Sequence, residues 1–224
     1  MFSRHVLFLV AELTVVLADF AIIVARLGYW YVGKEHKCDG GNDTFKINAS
    51  TKGDNDTFIG GGGTDTIQLS SGTHALTNDA KIATIEKIVT DSSGSVVSLA
   101  GQAEAFTITG GAATDNITGG SGIDTITGGG AADTITGGAG NDIITVDVGT
   151  DTVLDLGGSS GGESDVVIVN SGATLNATGI VSFTAGGSTV NNGGAAANAV
   201  LAARSSGATI NVSGAGSGDF TITG

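Results

Sequence analysis

No proline interrupts the 224-residue chain, although 39 of its residues are glycine. Disordered glycine-rich sequence commonly carries both residues, so plain low complexity describes this chain poorly. Aromatic residues make up only 5%, and bulky rings therefore cannot dominate a core. Ile, Val and Thr must fill it, and these favour short strands. A single cysteine, Cys38, excludes an intrachain disulfide and reads as an inert free thiol. Basic residues are scarce as well. After Lys87 the only one is Arg204, set among ten aspartates and two glutamates, and the net charge is −13. Such a surface repels phosphates and excludes nucleic acid as a partner. It suits a divalent cation, and a metal is the usual staple of an exported chain without disulfides.

Composition divides the chain into five zones. Residues 1–38 form an apolar N-terminal segment, expected to be helical. Residues 39–67 are a short, degenerate Gly/Asp block, and 68–105 read as a β-solenoid linker with apolar positions such as Ile82, Ile85 and Ile88. Residues 106–168 are strongly repetitive, and 169–224 are a β-rich Ala/Gly/Ser segment. The run from Val6 to Gly33 is long enough for a membrane span. Glu12, Asp19 and Arg26 interrupt it, each costing roughly 2.5–3.5 kcal/mol at a bilayer centre. Two readings stay open. One is a signal or anchor, with Leu17-Ala18 or Val24-Ala25 before a cleavage point; the other is an amphipathic capping helix or a misassigned start. Membrane contact follows only from an anchor.

The repeat is the strongest signal. Asp115, Asp124, Asp133, Asp142 and Asp151 are spaced nine apart without a slip, and each is followed two residues later by Ile117, Ile126, Ile135, Ile144 or Val153. Gly-Gly opens four of these five units, at Gly110, Gly119, Gly128 and Gly137. Residues 119–127 and 137–145 are complete G-G-x-G-x-D-x-U-x nonapeptides, U being aliphatic. Asp56 and Asp65 repeat the spacing, followed by Phe58 and Ile67, and Asp43 precedes them with Phe45 two residues on. Asp165 closes the main block, so nine of 17 aspartates hold one repeat position.

The pattern has a direct chemical reading. The x-U-x triplet is a short strand whose aliphatic residue faces inward while its flanking threonines face out. The other six residues form a turn in which glycine permits positive φ and brings carbonyls toward a common centre. The aspartate adds a carboxylate, and calcium takes six to eight such oxygens at about 2.3–2.6 Å. Two nonapeptides complete one coil, so loops eighteen residues apart stack at about 4.8 Å. Asp115 is expected near Asp133, Asp124 near Asp142, and Asp133 near Asp151, with calcium between stacked loops. Carboxylates about 5 Å apart repel by roughly 3 kcal/mol at an effective dielectric of 20, more than a single buried Ile returns, at about 1.5–3 kcal/mol. Calcium is therefore expected to drive folding.

These residues resemble the RTX (repeats-in-toxin) family, well over 110–168 and loosely over 39–67. The resemblance implies an all-β fold, a parallel β-roll or β-solenoid. It implies metal ligation by Asp115, Asp124, Asp133, Asp142 and Asp151, with backbone from Gly119, Gly120, Gly122, Gly137, Gly138 and Gly140. Asp56 and Asp65 are weaker candidates, because Asp54 occupies a glycine position in their block. Ala131, Val146 and Val148 also replace loop glycines, which bears on the Asp151 site. The family leaves the cell by type I secretion and folds outside it, so an extracellular or cell-surface location is expected.

No enzyme is expected. His5, His36 and His74 are scattered, no H-E-x-x-H occurs, and no G-x-x-x-x-G-K-[ST] occurs. The main expectation is a calcium-binding structural or adhesive surface protein, S-layer-like or adhesin-like, with self-assembly or cell-surface contacts. Phe220–Gly224 repeats Phe106–Gly110, so a longer array is expected. The alternatives are the calcium-binding C-terminal region of a secreted hydrolase or toxin, and a membrane-anchored filament subunit.

Overall fold

A strand of three residues cannot satisfy its own backbone, and each one here closes its hydrogen bonds only against the coils below and above it. The computed structural model describes residues 22–23, 35–48, 56–157, 163–192, 199–203, 209–212 and 215–223. Among them the chain is an all-β parallel solenoid whose only helical piece is the single 3-10 turn Asp79–Lys81. Most of the expected N-terminal helix lies outside the described residues. The two described within it, Ile22 and Ile23, are strand and pair in parallel with Thr44 and Phe45. No helix among the described residues is long and apolar enough to cross a membrane.

Two long sheets run the length of the roll. A nine-stranded sheet stacks Ile22–Ile23, Thr44–Ile47, Thr66–Leu69, Lys87–Thr90, Thr107–Thr109, Thr125–Thr127, Ile143–Val146, Val166–Val169 and Val190–Asn191. An eight-stranded sheet opposite stacks Gly72–Ala75, Ser95–Ser98, Asn116–Thr118, Thr134–Thr136, Gly149–Val153, Ala173–Ile180, Ala199–Ala203 and Thr221–Thr223. In the repetitive zone the register follows the sequence period. Ile108 pairs with Ile126 and Ile126 with Ile144, while Ile117 pairs with Ile135 and Ile135 with Val153. Flanking coils carry a third side. Glu35–Lys37, Thr57–Ile59 and Ile82–Ala83 form one short sheet, and Ser182–Thr184 pairs with Thr209–Asn211. Coils there exceed eighteen residues, as the pairs Thr44–Thr66 and Phe58–Ile82 show.

The core is one continuous column of inward side chains. Ile108, Ile117, Ile126, Ile135 and Ile144 are fully buried, while the threonines on either side of them face outward, as strand alternation requires. Larger side chains fill the wider three-sided coils, where Phe45 and Phe58 meet edge to face at 5.5 Å. Ile126→Ala is expected to cost about 2–5 kcal/mol through the cavity it leaves. Thr125→Ala should cost under about 1 kcal/mol. Chemical-denaturation midpoints at saturating calcium measure both.

Candidate metal centre

The coil geometry places acids directly over one another at the corner preceding each strand. Before the nine-stranded sheet the order is Asp43, Asp65, Glu86, Phe106, Asp124, Asp142, Asp165. On the side of the eight-stranded sheet it is Asp115, Asp133 and Asp151, the last lying within the strand Gly149–Val153. One hydrogen bond recurs in both columns: a backbone N–H donates to the carboxylate one coil on. Asp115 N–H donates to Asp133 Oδ1 at 2.8 Å, Asp124 N–H to Asp142 Oδ1 at 2.8 Å, and Asp133 N–H to Asp151 Oδ1 at 3.0 Å. These are the three stackings expected from the spacing. The same bond joins Asp142 N–H to Asp165 Oδ1 at 2.8 Å and Asp43 N–H to Asp65 Oδ1 at 2.7 Å. Glu86 substitutes for aspartate, its Oε2 accepting from Asp65 N–H at 2.7 Å. Phe106 interrupts the acid series, and Glu86 N–H turns back to the Asp65 carbonyl at 3.2 Å, while Phe106 N–H still donates to Asp124 Oδ1 at 2.7 Å.

The second carboxylate oxygens separate the sites. Asp115 Oδ2 accepts from Gly111 N–H and Asp124 Oδ2 from Gly120 N–H, both at 2.8 Å. Asp65, Asp133, Asp142 and Asp151 each bury an Oδ2 with no hydrogen-bond partner, and all four residues are at most 1% exposed. An unpaired buried carboxylate oxygen is costly, and the fold tolerates it best with a cation nearby.

The glycines answer two separate needs. Gly138 and Gly140 take φ of +107° and +118°, a region that disfavours a side chain. Gly119 and Gly137 are required for space, because a Cβ at Gly119 would lie 2.5 Å from Asp124 Oδ2 and one at Gly137 would overlap Asp142 Oδ2. Gly120 and Gly122 lie against the carbonyls of Gln102 and Glu104 in the coil below. Ala131 keeps a glycine-like φ of +76°, at a cost of about 1–2 kcal/mol. Val146 leaves the loop altogether and is buried at the end of the strand Ile143–Val146. Asp151 nonetheless stays in its column.

Asp56 joins neither column. Its Oδ2 lies 3.2 Å from His36 Nε2, and the His36 ring stacks on Phe58 at 5.0 Å. Cys38 is a free, buried thiol. Burial, aided by the charge of Asp43, pushes it up to about 11, so it keeps its proton.

Burial also raises the column aspartates, ahead of the opposing effect of their backbone donors. Asp142 is pushed up to about 7 and Asp133 to about 6, with neighbouring carboxylates adding to the effect. Asp65, Asp124, Asp151 and Asp165 move in the same direction, again chiefly through burial. Among the described residues no three His, Cys, Asp or Glu side chains converge as a ready metal cluster. An ion here would take carboxylate oxygens from the columns and carbonyl oxygens from the loops. That mixed, all-oxygen donor set fits calcium.

The family comparison agrees with this geometry. The RTX calcium-binding nonapeptide repeat matches in four copies, over residues 50–73, 107–126 and 118–153. The chain carries RTX repeats. No curated protein and no solved structure matches it. Within the RTX block the spacing led to the stacking of Asp115 on Asp133, Asp124 on Asp142 and Asp133 on Asp151. It did not assign Asp43, Glu86, Asp155 or Asp165 to a site. The first, second and fourth stand in the columns at irregular chain distances, where a count of nine does not lead.

Two expectations follow. A carboxyl raised in the fold above its ordinary value of 3.8 binds a proton more readily folded than unfolded. It therefore stabilises the fold at acid pH, and that stability is lost as pH rises through about 6 to 7. The calcium-depleted protein should thus show more strand signal and a higher Tm at pH 5 than at pH 8. Calcium should reverse the order, because protons compete for its ligands; circular dichroism melts at both pH values measure this. Gly119→Ala should cost about 1–3 kcal/mol by overpacking, measured by the same melts, with Ser121→Ala near neutral.

Proposed function

We propose that this chain is a calcium-binding β-roll of an extracellular structural or adhesive surface protein, folded by the ions it binds. The observation that carries the reading is the pair of buried acid columns, with Oδ2 atoms of Asp65, Asp133, Asp142 and Asp151 left without partners. No lysine or arginine occurs between residues 88 and 203 to neutralise them. The proposed ligands are the carboxylates of Asp115, Asp124, Asp133, Asp142 and Asp151, with loop carbonyls from Gly119, Gly120, Gly122, Gly137, Gly138 and Gly140. Asp65 serves the lower coils, beside Asp43. The bound ion supplies positive charge and fixes the loops; the residues supply oxygens, close approach and a ladder that holds the carboxylates in register.

The RTX β-roll is a structural calcium-binding unit rather than a catalytic one. A structural or adhesive role is further supported by the strand faces. From Thr107 to Thr152 the outward strand positions are Thr, Asn and one Ile, none of them charged. Flat, uncharged faces beside acidic corners suit contact with a cell surface or with another copy. Export in a low-calcium, unfolded state follows the same logic, since the ion becomes available only outside.

The test is a calcium titration of the whole chain, starting from excess chelator. Strand signal and Tm should rise together up to millimolar calcium and respond far less to magnesium, which demands rigid octahedral geometry. Absence of binding heat, with an unchanged spectrum, at millimolar calcium overturns the proposal.

A further inference from the structure

The outer face of the nine-stranded sheet changes character along the roll. Its outward positions run in two files. Thr107, Thr125, Ile143 and Val166 stack in the first, with Ile143 standing where the two coils below carry threonine. Thr109, Thr127, Thr145, Ile168 and Val190 stack in the second. Every one of these side chains is β-branched, and none carries charge. Ile143 is 36% exposed, and Val166, Ile168 and Val190 are half-buried. The exposed Lys87, paired with Thr107, marks the lower limit of this neutral stretch.

The eight-stranded sheet does not follow. At the same height its outward strand positions are Thr150, Thr152, Thr174 and Asn176, and the exposed Leu154 lies in the bend beyond the strand. Both sheets enclose the same core, so packing of the interior does not call for aliphatic residues on one outer face alone. A contiguous exposed apolar surface is a mark of a partner.

Charge narrows the choice of partner. The chain carries −13 overall, yet residues 166–224 hold only Arg204 and Asp219. Two copies meeting through the acid corners would oppose like charges; meeting through the upper coils of this face, they would not. A cationic partner is drawn to the corners instead. The face is left to a neutral, β-branched surface, and the same face of a second copy is one. Stacked sheets pack about 10 Å apart with their side chains interdigitated, and β-branched residues, already fixed at χ1, lose little freedom there. A patch in contact with itself closes as a two-fold pair. Size sets the strength. Five strands at about 4.8 Å span roughly 20–24 Å, and three or four residues of strand about 10–13 Å. That footprint falls short of the roughly 800 Å² per partner of a standard interface, so the pair is weak and concentration-dependent.

We propose that two copies of the folded chain pair through the outer face of the nine-stranded sheet, with Ile143, Val166 and Ile168 at the centre of the contact. The pairing presupposes calcium-folded rolls and so rests on the calcium reading, while it names a second copy as the partner of the surface role.

Sedimentation velocity of the whole chain in saturating calcium tests it, over about 10–500 μM, the range suited to an interface below standard size. Wild type should shift from monomer toward dimer across that range and go no further. Ile168→Lys should hold the chain as monomer throughout, because the two-fold brings the new charges together in the contact. Ile143→Thr, which restores the residue of the coils below, should weaken pairing about fourfold. Asn176→Lys, on the opposite sheet, should leave pairing unchanged. Strand signal and Tm in calcium identify a variant that fails to fold, and Ile143→Thr keeps the test valid should Ile168→Lys be one. Monomer at every concentration in wild type, or pairing in Ile168→Lys equal to wild type, overturns the proposal. So do masses that grow beyond the dimer, and loss of pairing in Asn176→Lys alone. A chain that gains no strand signal from calcium overturns the calcium reading instead, which separates the two failures.

Discussion

The roll depends on a hydrogen bond that sets like charges on top of one another. A backbone N–H at the corner of each coil donates to the carboxylate of the coil above, at 2.6–3.0 Å from Ser95 through Asp142. The bond is favourable in itself, because a charged acceptor strengthens it. Its geometry, however, fixes carboxylates one strand spacing apart in a buried corner. Each bond that aligns the coils therefore adds to the repulsion between them. The fold is complete in its backbone and core but not in its charge, a conflict that a divalent ion among the corners would resolve.

Glycine is needed for the same arrangement. The first glycine of a unit leaves the space into which its own aspartate folds, as at Gly119 beneath Asp124 and Gly137 beneath Asp142. Other loop glycines supply positive φ, as at Gly138 and Gly140. The two roles explain why Ala131 is tolerated at its position while a Cβ at Gly119 meets an oxygen. A methyl group in a strained backbone costs energy, whereas a methyl group in place of a carboxylate displaces the site.

How much of this was legible in the sequence depended on what each residue answers to. Ile117, Ile126, Ile135 and Ile144 face inward because strands alternate, and the period of nine stacks Asp115 on Asp133 because two units close a coil. Both follow from counting. Asp43 under Asp65, and Asp165 over Asp142, do not, because added loop residues lengthen those coils without disturbing the pairing. The ladder is set by space, and insertions are absorbed at the corners. Glu86 escaped notice because a longer carboxylate reaches the same amide from a different residue type. Asp56 fitted the count yet stands beside His36, since the third sheet of the lower coils draws it away from the columns.

Phe106 has a consequence for how charge is distributed along the axis. It keeps the ladder bond to Asp124 while contributing no carboxylate, and it is buried in the core. The acids of this column are thereby divided into a lower run ending at Glu86 and an upper run beginning at Asp124, two strand spacings or about 10 Å apart. A neutral ring at one rung thus doubles the spacing between neighbouring acids there and roughly halves the repulsion across that rung relative to an adjacent pair.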